Sequence, residues 1–387
     1  MRNVCVLGVG QTVFGKHKDK DVNDLGAAAA LAAFKDCEIS PKEVQVGFVG
    51  AMYPIPTLGE SILRRLGVDR IPIYNMENAC SSGNSAIHLL RRDIQLGACE
   101  VGIAVGVESI TAYNKKAGKG LVGFAEDLEA KLGLTMPTFF GMLCNRLMEE
   151  RGATIEDICY ASVKNHKNGM VNPWSQYKTE VTVEEIMASP MISDPITVLQ
   201  CCPQSDGGAA IILCSEEYFK KHNKKSNRVP VRIAGSAIVS GGATDSSFDP
   251  LALRPLIEGA QAAYDMAGIG PEDLDVVELH DAFSGEELAA YEMLGLCKKY
   301  EGIEFARSGA TAMGGKCPVN PSGGLQSMGH PLGASGVRCI VDIARQLWGE
   351  AGAYQVEGAK VGMGEMLGGV LTNLESPVVA GLQVLVK

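Results

Sequence analysis

Apolar and polar positions along this chain fall into a repeating order of short apolar runs and helical stretches. Val4-Cys-Val-Leu-Gly8 has the composition of a buried strand, and an alanine-rich stretch with helical character follows over residues 24–35. Ser40-Pro-Lys-Glu-Val44 marks a turn into a second apolar run, Val46-Gly-Phe-Val49. The later part of the chain opens in the same way. Val231-Arg-Ile-Ala-Gly235 leads to a helix over 255–267, then to Gly270-Pro-Glu-Asp-Leu274 and the run Val276-Val-Glu-Leu279. Each unit reads as strand, helix, Pro-marked turn and second strand, so the chain is expected to carry an internal duplication.

The correspondence continues. Ile71-Pro-Ile-Tyr74 reads as a buried strand end, Cys80 opens a helix with Ala86, Ile87, Leu90 and Ile94 at helical spacing, and Val101-Gly-Ile-Ala-Val105 follows. In the second half His330 precedes a helix with Val337, Ile340, Val341, Ala344 and Leu347 on one face, and Ala359-Lys-Val-Gly362 follows. Strands alternating with helices predict an α/β layered fold. Two such halves packed about a pseudo-twofold axis would bring the helix starts with Cys80 and His330 together. The stretch 115–197, with Met136-Pro, Asn172-Pro-Trp174 and Ser189-Pro, breaks the pattern and reads as an inserted loop domain. The expected division is 1–114 with 198–225, then 115–197, then 226–387.

Composition narrows the classes. At 387 residues the chain can bury sizeable cores, and a net charge of −10 without a basic block argues against nucleic acid as a partner. No apolar run is long enough to span a membrane, and the N-terminus enters a strand without a signal-peptide layout. The 12 cysteines are scattered, which fits a reducing cytoplasmic compartment better than a disulfide framework, and they show no metal-ligand spacing. No metal or cofactor is expected.

One cysteine stands apart. Asn75-Met-Glu-Asn-Ala-Cys80-Ser-Ser-Gly83 places a thiol at the start of a helix, where free N–H groups and the helix dipole favour a thiolate. Small residues after it leave room for a carbonyl to approach. A buried cysteine is usually a small hydrophobe, and a lone histidine is usually structural. Here, however, His280 follows an apolar strand, His330 sits between Gly329 and Pro331 before a helix, and both belong to a duplicated fold.

The Ala79-Cys80-Ser-Ser-Gly83 turn, the His280-Asp-Ala-Phe283 stretch and the run from Asn320-Pro-Ser-Gly-Gly324 through Gly329-His-Pro-Leu-Gly-Ala-Ser-Gly336 resemble the thiolase family in order and spacing, over essentially the whole chain. The His-Asp pair is similar to the sterol-carrier-protein-x and archaeal branch, as are Asn165-His166 and Ser205-Asp206-Gly207. The resemblance implies a duplicated thiolase fold, two βαβαβαββ halves in αβαβα layers. It implies that Cys80 carries the acyl group, that His330 takes its proton, and that His280 joins His330 around the enolate of a CoA thioester. The N–H of Cys80 and one from a Gly364–Gly369 loop, at Met366 with Gly368 beside it, would hold the oxyanion. Cys202, His166 and Gly329 would lie along the substrate or CoA arm. Implied partners are acyl-CoA and CoA, a second copy of the chain joined through a strand of the N-terminal half, and a separate small zinc-ribbon/OB-fold (DUF35-type) subunit.

The chain departs from the family at one point. The second cysteine that usually moves the α-proton is absent, because Ala282 stands in the first motif and Gly364-Glu-Met366 in the late one. Glu365, Cys317 or a bound water are the candidate acids. An altered acid suggests a larger or branched β-oxo thioester, of which 2-benzoylsuccinyl-CoA from anaerobic toluene breakdown is the favoured case. Acetoacetyl-CoA is the alternative substrate, and retro-aldol cleavage without an acyl-enzyme is the alternative chemistry.

Overall fold

The computed structural model describes residues 2–53, 55–117, 131–223, 228–241, 249–369 and 378–387. The expected repeat is present in its sheet. Strands β1 (Val4–Gln11), β2 (Gly47–Gly50), β3 (Ile73–Met76), β4 (Val101–Ser109) and, past a small hairpin of β5 (Met191–Ser193) and β6 (Ile196–Thr197), β7 (Asp206–Ser215) form one half. The other half contains β8 (Val231–Ser240), β9 (Val276–Glu278), β10 (Val361–Gly369) and β11 (Val378–Val386). The spatial order is β3-β2-β4-β7-β1-β8-β11-β10-β9. The series β2-β4-β7-β1 thus recurs as β9-β10-β11-β8, with one parallel pair followed by two antiparallel pairs in each.

The two halves are also joined. Equivalent edge strands β1 and β8 pair antiparallel at Cys5–Arg232 and Val6–Val231, as two copies of one edge do when they meet about a twofold axis. Hydrogen bonding therefore runs through nine strands.

Helices complete the layers. α1 (Val22–Cys37) lies on the outer face of the first half and is held at its start by a capping box in which the Asp21 side chain accepts from Asp24 N–H. Ala29, Ala30 and Ala33 let it lie directly on the sheet, and a side chain at Gly10 would run into the Ala29 and Ala33 backbone. α2 (Ser82–Gln95) and α7 (Leu332–Trp348) form the middle layer, packed on each other and on both half-sheets. α4 (Arg254–Ala267) covers the outer face of the second half. Between β4 and β7 lies mostly helical chain, including α3 (Ile155–Val171). Residues 118–130 of the expected loop domain lie outside the described residues. No helix among the described residues is long and apolar enough to cross a membrane.

The middle layer explains why the periodic face of α7 understates its burial. Val337, Ile340, Val341, Ala344 and Leu347 are fully buried as expected, and each large apolar side chain contributes about 1.5–3 kcal/mol. Arg338 and Asp342 are buried as well, because a sheet covers the opposite face. Arg338 pairs with Glu278 at the end of β9 and lies 3.5 Å from Asp342. Glycines set the crossing of α2 and α7: a Cβ at Gly83 would come within 2.7 Å of the Val337 nitrogen, and one at Gly336 would strike Asn84. The two helices meet almost backbone to backbone.

Two expectations fail locally. β3 is an exposed edge rather than a buried strand end, with Tyr74 52% exposed, because no strand among the described residues covers it. The Gly364–Gly369 run is not a loop but the body of β10, in register with β11 from Gly364–Gln383 to Gly369–Val378. Its glycines serve close packing, since a side chain at Gly364 would strike Ile340 and one at Gly368 would strike the Asn78 carbonyl.

Candidate active site

Cys80 and His330 meet where the starts of α2 and α7 converge. Sγ of Cys80 lies 3.3 Å from Nε2 of His330. Cys80 stands two residues before the first helical residue, Ser82, on a turn that the sequence prescribes in detail. Ala79 takes a left-handed conformation at φ 50°, a strained setting for a non-glycine residue. The turn is tied by Ser82 Oγ, which donates to Ala79 O at 2.6 Å and accepts from Asn78 N–H at 2.9 Å. It rests on two bare positions of the sheet, Gly368 and Gly381, where a side chain would strike Asn78 or Ser81.

The ring of His330 is fixed from both ends. Its Nδ1 lies 2.8 Å from Ser335 Oγ one turn into α7, and Ser335 Oγ lies 3.0 Å from Pro331 O. Its backbone N–H donates to Ser205 Oγ at 3.1 Å. With Nδ1 engaged, Nε2 is the nitrogen that addresses the thiol. Burial, the positive charge of neighbouring His280 and Arg338 all push His330 well below the usual histidine range, which favours the neutral ring.

His280 stands at right angles to His330, with ring centroids 5.2 Å apart and planes at 79°. Its Nδ1 bonds Glu286 Oε1 at 2.7 Å, and its Nε2 faces Cys80. Ligating atoms of Cys80, His280 and His330 all lie within 4.8 Å of one another. Burial alone would lower His280, but the Glu286 carboxylate and the facing thiol outweigh it and raise the group well above its usual value. Three residues far apart along the chain thus share one site, as the sequence led one to expect.

The remaining predicted residues divide. Gly368 touches the Cys80 turn. Met366 is buried in the core, two residues back on the same strand face, and β9 pairs with β10 only over Gly362–Gly364, leaving the edge at Met366 without a strand partner among the described residues. Glu365 alternates to the opposite face. Its Oε2 accepts from His280 N–H at 2.9 Å, and it lines a cavity with Phe140, Leu253, His280 and Glu286. Burial raises it to about 7, against the pull of His280. The expected acid therefore sits behind His280, on the side of β10 away from the Cys80 turn. Cys317 is farther still, near Asp275 at the opposite end of β9.

Cys202 donates its N–H to Ala282 O at 2.8 Å, beside the position of the missing cysteine, and burial raises its thiol strongly. Gly329, at φ 106°, lies against Ser205 and Gln176, where a Cβ would come within 2.5 and 3.1 Å. His166 is one layer out, its Nδ1 3.2 Å from Thr179 O and its ring stacked on Tyr177.

Sequence reading missed Ser335 and Glu286. Both lie within six residues of a singled-out histidine and at a helix start, which is the signal that could have found them.

Beneath the site lies a polar network. Lys164 of α3 pairs with Glu287 of α5 (Ser284–Met293) at 3.0 Å. Asn165 donates to Asp281 at 2.7 Å and to Glu287 at 2.8 Å, and Asn320 donates to Glu287 at 2.9 Å. Asp281 also accepts from Leu325 N–H at 2.6 Å, at the start of α6 (Gly324–Met328). The network fixes the turn that carries His280.

Comparison with known proteins agrees with this geometry. Residues 4–217 match the model of the thiolase N-terminal domain, and residues 239–380 match that of the thiolase C-terminal domain-like family. The chain is 41% identical over 371 residues to the benzoylsuccinyl-CoA thiolase subunit BbsB of Thauera aromatica, covering 95% of each chain. It is 36% identical over 375 residues to an acetyl-CoA acetyltransferase of Methanothermobacter thermautotrophicus, covering 95% of this chain and 97% of the other. The fold is shared with the solved Ltp2-ChsH2(DUF35) aldolase at a TM-score of 0.80 and 22% identity, over 98% of this chain and 97% of that one. With both halves matched, and with a cysteine and two histidines brought together by the duplicated fold, the chain belongs to the thiolase family of acyltransferases.

Proposed function

We propose that this chain cleaves 2-benzoylsuccinyl-CoA with CoA, giving benzoyl-CoA and succinyl-CoA through a benzoyl-Cys80 intermediate. The observation that carries the reading is the 3.3 Å contact between Cys80 Sγ and His330 Nε2 at the meeting of the two helix starts. His330, held neutral, takes the thiol proton as sulfur attacks the ketone carbon, which splits one difficult step into two easier ones. The N–H of Cys80, with the β10 edge at Met366 and Gly368, holds the oxyanion of the adduct. Breaking the bond to the α-carbon leaves the enolate of succinyl-CoA between His280 and His330. CoA then attacks the acyl-cysteine and carries the benzoyl group away. Cys202, His166 and Gly329 line the approach of the acyl-CoA and CoA. CoA enters as a substrate, and every other group used belongs to the chain.

The substrate assignment is supported by the 41% identity to a benzoylsuccinyl-CoA thiolase subunit and by the absence of a cysteine at Ala282. It would place the chain in anaerobic aromatic degradation. Pairing of two copies is supported by β3, an edge with no outer strand neighbour among the described residues. A separate DUF35-type subunit is supported by the shared fold with an aldolase whose solved structure includes such a protein.

The test is product analysis. With 2-benzoylsuccinyl-CoA, benzoyl-CoA and succinyl-CoA are expected in equal amounts and only when free CoA is present. Repeated cleavage without CoA, beyond one equivalent of the protein, would support the retro-aldol alternative. Turnover of acetoacetyl-CoA alone would support the acetyltransferase alternative, which the 36% identity to the archaeal enzyme favours.

A further inference from the structure

We propose that Glu286 is a positioning residue that makes His280 the acid of carbon–carbon cleavage, in the role that the absent second cysteine leaves open. This rests on the thiolase reading above. Glu286 lies in the first turn of α5, where a helix start favours a carboxylate, and its Oε1 holds His280 Nδ1 at 2.7 Å with both side chains buried. A carboxylate at Nδ1 fixes the ring and keeps a proton there, so that a second proton on Nε2 points at Cys80. Nε2 of His280, Oε2 of Glu286 and Oε1 of Glu365 are all buried without a hydrogen-bond partner. The cavity shared by these three residues measures about 10 Å³, on the order of one water. That cavity lies behind the ring, whereas an Nε2 donor beside Cys80 is available to an enolate held next to the nucleophile.

The neighbouring histidines make the assignment specific. Two imidazolium rings 5.2 Å apart repel each other, and only His280 has a carboxylate on its ring. Glu286 therefore places the positive charge on His280 and leaves His330 as the base. The raised His280 and depressed His330 agree with this division. The titratable groups around His280 are Glu286 from α5, Cys80 from the turn before α2, His330 from the start of α7, Glu365 from β10 and Cys202 from the segment before β7.

The protons balance. The Cys80 proton goes to His330 as the carbon–sulfur bond forms. When the carbon–carbon bond breaks, its electron pair becomes the enolate, and the α-carbon takes the Nε2 proton of His280. As CoA takes the place of the product, His280, now neutral, regains its proton from His330, and neutral His330 removes the proton of incoming CoA as the new thioester forms. Cys80 leaves as thiolate and recovers its proton from His330. Both histidines end in their starting states.

The test separates two half-reactions in the full-length protein. Exchange of labelled CoA into benzoyl-CoA forms and breaks acyl-Cys80 but makes no enolate, so it needs Cys80 and His330 alone. Cleavage of 2-benzoylsuccinyl-CoA also needs the acid. In the unaltered protein, kcat for cleavage is expected to fall as pH rises through the raised His280 value, because the imidazolium is lost. In Glu286→Gln that fall should move to lower pH by about one unit or more, and cleavage at pH 8 should drop about 10–100-fold, while exchange persists. Glu286→Asp should recover most of the cleavage. An unmoved pH limb, or an inactive Glu286→Asp with exchange also lost, would overturn the role of Glu286. Absence of exchange in the unaltered protein would instead overturn the thiolase reading itself.

Discussion

Cys80→Ala is expected to lower thiolysis by on the order of 10⁴-fold or more while leaving the fold intact. The size follows from the role, since burial keeps the other thiol at the site, that of Cys202, protonated. The selectivity follows from the structure. Cys80 packs only partly against the core, and the Ser82 bonds that hold its turn do not involve the sulfur. Removing Sγ should therefore change stability by less than about 1 kcal/mol. Steady-state cleavage together with a urea unfolding curve checks both halves. Retained turnover would contradict the mechanism, and a large loss of stability would mean that the turn depends on the thiol.

Lys164→Met should cost about 3–5 kcal/mol, the largest stability effect expected of one substitution at this site. Lys164 is buried, and its Nζ donates to Asn165 Oδ1 and Val319 O at 2.6 Å while lying 3.0 Å from Glu287. Its loss leaves Glu287 and Asp281 buried together without their nearby cation. Burial and Glu287 already hold Asp281 well above the usual carboxylate range. The protein can respond only by protonating one of the two carboxyls or by admitting water. A second change, Glu287→Gln in the same chain, should recover part of the loss, because the cost comes from the unpaired charge and not from the missing bond alone. The urea midpoint should fall with the slope unchanged. A loss below about 1 kcal/mol would show that the network is not what fixes the His280 turn.

Much of this architecture is legible in the chain. Period and punctuation identify the strands and main helices, and the repeat predicts that Cys80 and His330 converge although 250 residues separate them. What escapes has a common cause. Lys164 looks like a solvated surface charge until α5 covers it, and Arg338 looks exposed until the second half-sheet closes over α7. The Gly364–Gly369 run carries the composition of a loop, yet β10 uses its glycines to admit α7 and the Cys80 turn. Alternation along β10 then decides what the composition could not, and sends Glu365 to the far side of the strand from Cys80. The family resemblance implied Cys80 as nucleophile and the two histidines beside it. It gave no partner for His280, since Glu286 is identified only by the 2.7 Å contact.

The most direct test of the central claim is a peptide map of the intact protein after brief incubation with 2-benzoylsuccinyl-CoA without free CoA. The account predicts one benzoyl group, on the peptide that contains Cys80, discharged as benzoyl-CoA when CoA is added. Release of product with Cys80 unmodified, or a benzoyl group on any of the other cysteines, would contradict it.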